Sequence, residues 1–110
     1  MLHIVIAQSL LDEERVDYSR VLQELDLAAK VAPDDYDVHY LRGKVFMATR
    51  QYQRAIDSLR RAIELRPTES GAYYQLGLAY RKLGEPELAK QQFEKIEFLK
   101  EPPVSLKARD

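Results

Sequence analysis

The chain has 110 residues, 45% of them hydrophobic, with four glycines, five prolines and no cysteine. That is the length of one domain and a composition that builds a core, so an extended disordered chain is excluded. The lack of cysteine excludes disulfides and thiolate metal sites without fixing a compartment, and a formal net charge of −1 gives no overall bias toward nucleic acid or an anionic membrane.

The first stretch, Leu2 to Leu11, is apolar but interrupted by His3, Gln8 and Ser9. It is too short to span a bilayer and lacks the basic start of a signal peptide. It reads as a buried first helix over 2–14, and a cytoplasmic location is the default expectation. Five further helices are predicted, over 18–31, 36–48, 52–65, 70–83 and 86–100. The second carries Tyr18, Val21, Leu25 and Ala28 on one face and ends before Pro33, because a proline cannot continue the helical hydrogen-bond ladder. Asp34 and Asp35 then offer capping oxygens to the third. The fourth shows the clearest stripe: Tyr52, Ala55, Ile56, Leu59, Ala62 and Ile63 at helical spacing. Its opposite face is charged, with Asp57–Arg61 and Arg60–Glu64 spaced for i,i+4 pairs. Pro67 ends it, and Thr68 and Ser70 are the candidate caps of the fifth. Gly84 followed by Glu85-Pro86 marks the passage to the sixth. The periodicity stops at residue 101, and 102–110 reads as a frayed tail.

A shift of 34 residues superposes the chain on itself. Val21, Ala55 and Ala89 coincide, as do Leu25, Leu59 and Phe93, then Ala28, Ala62 and Ile96. Pro33 falls on Pro67, Gly43 on Gly77, Tyr40 on Tyr74 and Phe46 on Tyr80. A fixed period of this length is the signature of stacked supersecondary units. The third unit has Tyr73, Leu76, Gly77, Tyr80, Ala89 and Phe93, which resembles the tetratricopeptide repeat. The second unit keeps Gly43, Phe46, Tyr52, Ala55, Leu59, Ala62 and Pro67, with His39 at the first aromatic slot and Arg42 where leucine is usual. The first unit is poorest, with Ser9 for glycine and Asp12 for tyrosine; a one-residue insertion near Asp12–Arg15 puts Ile4, Ala7 and Leu11 inward instead. The resemblance implies an all-α, right-handed superhelical stack of antiparallel helix pairs. The repeats then run over about 2–35, 36–69 and 70–101, one domain over 1–101.

Charge is uneven along the units: residues 1–35 carry eight acids and three bases, 36–69 four and seven, and 70–110 six and seven. Head-to-tail association and ordinary surface variation both fit that pattern. At the last helix Phe93, Ile96, Phe98 and Leu99 spread around the axis, so some apolar surface there is expected to be uncovered.

Chemistry is not expected. Asp34-Asp35 and Asp12-Glu13-Glu14 fall at caps and on a solvated edge, and adjacent acids do not face one cleft. His3 and His39 lack a second ligand at helical spacing, so neither a metal nor a cofactor is expected. Gly71, Gly77 and Gly84 lie in different elements and make no phosphate loop. The run Arg50, Arg54, Arg60, Arg61 and Arg66 has no interleaved stacking aromatics, so nucleic acid is not the expected partner.

In proteins similar to this one, the first helix of each pair lines a concave face that grips a peptide. Carried over by alignment, the groove residues are Asp37, Tyr40, Leu41, Lys44 and Met47 from the second unit and Tyr74, Gln75, Leu78, Arg81 and Lys82 from the third. One subfamily clamps the terminal carboxylate of chaperones; the corresponding slots here hold Tyr40, Lys44, Gly71 and Gln75. That clamp is absent, and no chaperone-tail binding is expected. The reading is a non-enzymatic scaffold or adaptor that binds a protein segment in this groove. The alternatives are a homo-oligomer formed through uncovered terminal helices, and the non-catalytic repeat region of a larger enzyme or assembly protein.

Overall fold

The structure, a computed structural model, describes residues 17–100. Five helices follow one another: α1 (Tyr18–Val31), α2 (Tyr36–Ala48), α3 (Tyr52–Leu65), α4 (Ser70–Lys82) and α5 (Pro86–Lys100). The helix expected over 2–14 and the tail 102–110 lie outside the described residues.

Each helix begins and ends for a local reason. Asp17 caps α1 by accepting from the Arg20 amide at 3.2 Å, and Asp35 caps α2 by accepting from the Asp37 amide at 2.8 Å. The cap position of α4 is Glu69, which makes no side-chain capping bond, so neither Thr68 nor Ser70 takes the role their hydroxyls suggested. Within each pair the chain reverses through a left-handed residue, Arg50 at φ 62° after α2 and Gly84 at φ 75° after α4. The amide that follows bonds back to the helix: Gln51 N–H to Phe46 O at 2.8 Å, Glu85 N–H to Tyr80 O at 2.9 Å. Both turns therefore close the last helical carbonyls in the same way.

The pairs α2–α3 and α4–α5 pack through their glycines. A Cβ on Gly43 would lie 2.6 Å from the Leu59 side chain, and one on Gly77 would lie 2.6 Å from the Phe93 ring. The glycines are thus the holes into which the large residue of the partner helix fits. Around these contacts the core runs along the stack. Val21, Leu25 and Ala28 of α1 meet Val38, Leu41 and Val45 of α2. Ile56, Leu59 and Ala62 of α3 meet Ala72, Leu76 and Ala79 of α4. Leu22 packs against both groups, so consecutive units share one core in which each mainly supports its neighbour.

Charge pairs join units as well as turns of one helix. Arg61 reaches back to Asp34 at 2.6 Å and along its own helix to Glu64 at 3.1 Å, not to Asp57. Arg60 donates to the Tyr80 hydroxyl at 2.6 Å, across to α4, rather than pairing with Glu64. Four and three residues of spacing are equally close on a helix surface, so a neighbouring element decides between them.

Candidate functional site

The first helices of the two described pairs, α2 and α4, carry the ten residues expected to line a groove, and their environments differ sharply. Tyr40 is half-buried. Its ring stacks on Tyr36 at 5.5 Å between centroids and 12° between planes. Its hydroxyl rests on the start of α4, where a Cβ on Gly71 would be 3.0 Å away. Burial raises its pKa above the usual tyrosine value. Tyr36 beneath it is pushed to about 12, chiefly by burial and secondarily by Tyr40 and Glu69, while a hydrogen bond with the Ala72 backbone pulls the other way. The equivalent Tyr74 is 50% exposed, because no further described helix does for it what α4 does for Tyr40. It leans instead on Phe93 of α5, 6.1 Å between centroids and tilted by 55°.

Lys44 and Arg81 are exposed and laid over rings: Lys44 Nζ is 5.6 Å from the Tyr40 centroid, and the Arg81 guanidinium 5.2 Å from that of Phe93. Both distances suit a cation–π contact. Lys82 is exposed as well, and Asp37, Gln75 and Leu78 are half-buried. Met47 is half-buried and packs against the α3–α4 core. Leu41 must be removed from the set: it is 93% buried, since its relative exposure is 7%, and its side chain packs with Val21, Leu25 and Ala28 of α1. Its equivalent Gln75 gave no warning, because alignment transfers a position and not its cover.

The cations divide into two groups. Arg42 pairs with Asp26, Arg61 with Asp34 and Glu64, and Lys90 with Glu94. Lys44, Arg81 and Lys82 have no carboxylate partner among the described residues. The arginine run that raised nucleic acid as a class is largely engaged: Arg54 donates to Gln51, Arg60 to Tyr80, Arg61 to Asp34, and Arg66 lies 5.3 Å over the Tyr36 ring. His39 donates to Pro33 O at 2.7 Å from Nε2. No group of three His, Cys, Asp or Glu side chains among the described residues could hold a metal ion. Among the described residues, no helix is long and apolar enough to cross a membrane.

A cavity of about 390 Å³ lies along α5 and takes in Arg81 of α4. Pro86, Ala89 and Phe93 form its floor and Arg81, Lys90, Glu94 and Glu97 its rim. The sequence placed uncovered apolar surface on this helix, at Phe93, Ile96, Phe98 and Leu99, but not a cavity, although a signal for one existed. The 34-residue shift places Ile56 on Lys90 and Ile63 on Glu97. In α3 those positions are covered by α4; in α5 they are charged and border an open cavity.

The TPR repeat family model matches residues 43–84. A structure of the second TPR of Spaghetti (RPAP3), bound to an HSP90 peptide, superposes with a TM-score of 0.83 at 21% identity, covering 89% of each chain. The crystal structure of MamA gives 0.83 at 26% identity over 89% of this chain and 56% of that one. DnaJ homolog subfamily C member 3 of Rattus norvegicus is 29% identical over 83 residues, which are 76% of this chain. The chain spans only 16% of that relative's length. With the paired helices and their glycine-to-large-residue contacts, the superpositions show the fold: an all-α solenoid like those of tetratricopeptide repeat proteins, a right-handed stack of antiparallel helix pairs.

Proposed function

We propose that the chain is a non-catalytic interaction module whose α2–α4 face binds a segment of another protein. The observation that carries this reading is the state of these two helices: a half-exposed tyrosine, Tyr74, and three cations without carboxylate partners among the described residues, Lys44, Arg81 and Lys82. Tyrosine offers a large amphipathic contact at low entropic cost, which suits recognition. The RPAP3 repeat bound to an HSP90 peptide supports peptide binding by such a fold. It does not extend to the same ligand here. The Gly71 slot that would need a cation is filled by the Tyr40 phenol, so we expect no chaperone-tail clamp. A photo-crosslinking residue at position 74 should capture a protein partner, and one at the exposed Gln53 on α3 should not. Capture from both positions, or from 53 alone, would refute the assignment.

A second reading, self-association through α5, draws on its exposed side chains, Phe98 at 55% and Leu88 at 36%. Against it, Lys90 and Glu97 stand where the equivalent positions of α3 carry isoleucine, and charged side chains there disfavour stacking on a second copy. Light scattering that shows a stable dimer across dilution would favour it.

A further inference from the structure

We infer that Tyr40 is a positioning residue of the α2–α4 face. Stacked on Tyr36, it forms a wedge that sets the spacing of the two helices, while its repeat equivalent Tyr74 is left to contact a partner. The proposal rests on the binding reading above and gives different work to two residues that the repeat makes equivalent.

The wedge is built from contacts that all end on the start of α4 or the turn before it. Tyr36 and Tyr40 are neighbours at i,i+4 on one face of α2, and their rings stack at 5.5 Å between centroids. The stack meets two consecutive residues of α4. A Cβ on Gly71 would lie 3.0 Å from the Tyr40 hydroxyl oxygen and 3.3 Å from Cζ, and Tyr36 makes a hydrogen bond with the Ala72 backbone. Arg66, the cap residue of α3, lies 5.3 Å over the Tyr36 ring, so the wedge also holds the turn that leads into α4. Gly71 is helical and has no positive φ. Its missing side chain therefore answers the close approach of the phenol. Side chains at the contact set the distance between packed helices, and here the contact is a rigid ring stack against bare backbone.

The third unit cannot repeat this. The 34-residue shift places Ser70 on Tyr36, so Tyr74 has no ring to stack on one turn earlier in its own helix. It leans on Phe93 of α5 and stays 50% exposed. The same residue type is thus a spacer in one unit and an open surface in the next.

The test reads spacing in the full chain with no partner present. The chain has no cysteine, so a pair of nitroxide labels can be placed through cysteines at the exposed Ala48 and Lys82, at the ends of α2 and α4. Tyr40→Ala should shift or broaden the distance between them, and p-cresol, the tyrosine side chain itself, should reverse the change by filling the apolar gap. Tyr40→Phe, which keeps the ring, should hold the native distance. Gly71→Val, which puts a branched side chain where the phenol sits, should shift it; this variant decides the matter if Tyr40→Ala does not fold. Tyr74→Ala should leave the distance unchanged, with or without p-cresol. A native distance in folded Tyr40→Ala or Gly71→Val chains, whatever their thermal midpoints, would reduce Tyr40 to ordinary packing and overturn the inference. An equal shift in Tyr74→Ala would overturn the division of roles. Failure of the binding reading is seen separately, as loss of selective capture from position 74.

Discussion

His39 and Tyr73 stand one period apart and close the same turn with different chemistry. His39 Nε2 donates to the Pro33 carbonyl at 2.7 Å, and the Tyr73 hydroxyl donates to the Pro67 carbonyl at 2.7 Å. A proline carbonyl only accepts, so the ring must carry its proton on Nε2. The histidine is thereby a turn lock. His39→Tyr should leave stability within about 0.5 kcal/mol, whereas His39→Phe should lose about 1 kcal/mol with the hydrogen bond. Urea unfolding of the two variants measures both.

Arg50 and Gly84 are a second such pair. Arg50 holds φ 62° with a Cβ present, while Gly84 holds φ 75° without one. The left-handed conformation costs a non-glycine residue about 1–2 kcal/mol. Arg50→Gly should therefore stabilise the fold by about 0.5–1 kcal/mol, and Gly84→Ala should destabilise it by about 1 kcal/mol. An Arg50→Gly variant with a lower thermal midpoint would show that the arginine side chain contributes more than its backbone costs.

Close packing gives a third prediction. Gly43→Ala places a methyl 2.6 Å from the Leu59 side chain and should cost about 1–3 kcal/mol through overpacking. Leu59→Val in the same chain should return part of that loss. Additive losses in the double-mutant cycle would mean the two side chains do not meet as described.

Tyr36 predicts an alkaline limit. Its folded pKa of about 12 exceeds the ordinary value of 10.0, so the protonated phenol is favoured by folding. The contribution is complete below pH 10 and is lost as pH rises through the interval between 10.0 and about 12. Unfolding free energy should fall across that window, and Tyr36→Phe should flatten the fall. A slope unchanged by the substitution would place the alkaline sensitivity elsewhere.

The helices were legible because their limits are written in local chemistry. Apolar spacing and the prolines placed the second, third, fourth and sixth predicted helices on Tyr18–Val31, Tyr36–Ala48, Tyr52–Leu65 and Pro86–Lys100. The fifth ended one residue early, at Lys82, because Leu83 is its cap. Side-chain partners were less legible. Spacing sees only one helix, whereas Arg61 chose Asp34, 27 residues away, and Arg60 chose Tyr80, 20 away. The site shows the same division. Alignment named Tyr40 and Tyr74 as equals, yet α4 covers one and leaves the other exposed. It named Leu41, which the core had taken, and passed over Phe93, whose ring supports both Tyr74 and Arg81.

The central claim is that the α2–α4 face holds another protein. The most direct measurement compares what the native chain and a Lys44→Glu/Tyr74→Ala variant capture from the source lysate. These two side chains are chosen because Lys44 is exposed and Tyr74 is half-exposed, so helicity and urea midpoint should stay unchanged, which Tyr40→Ala would not ensure. The account predicts a partner bound by the native chain and lost by the variant. Equal capture by two equally folded chains would contradict it and move the binding surface off this face.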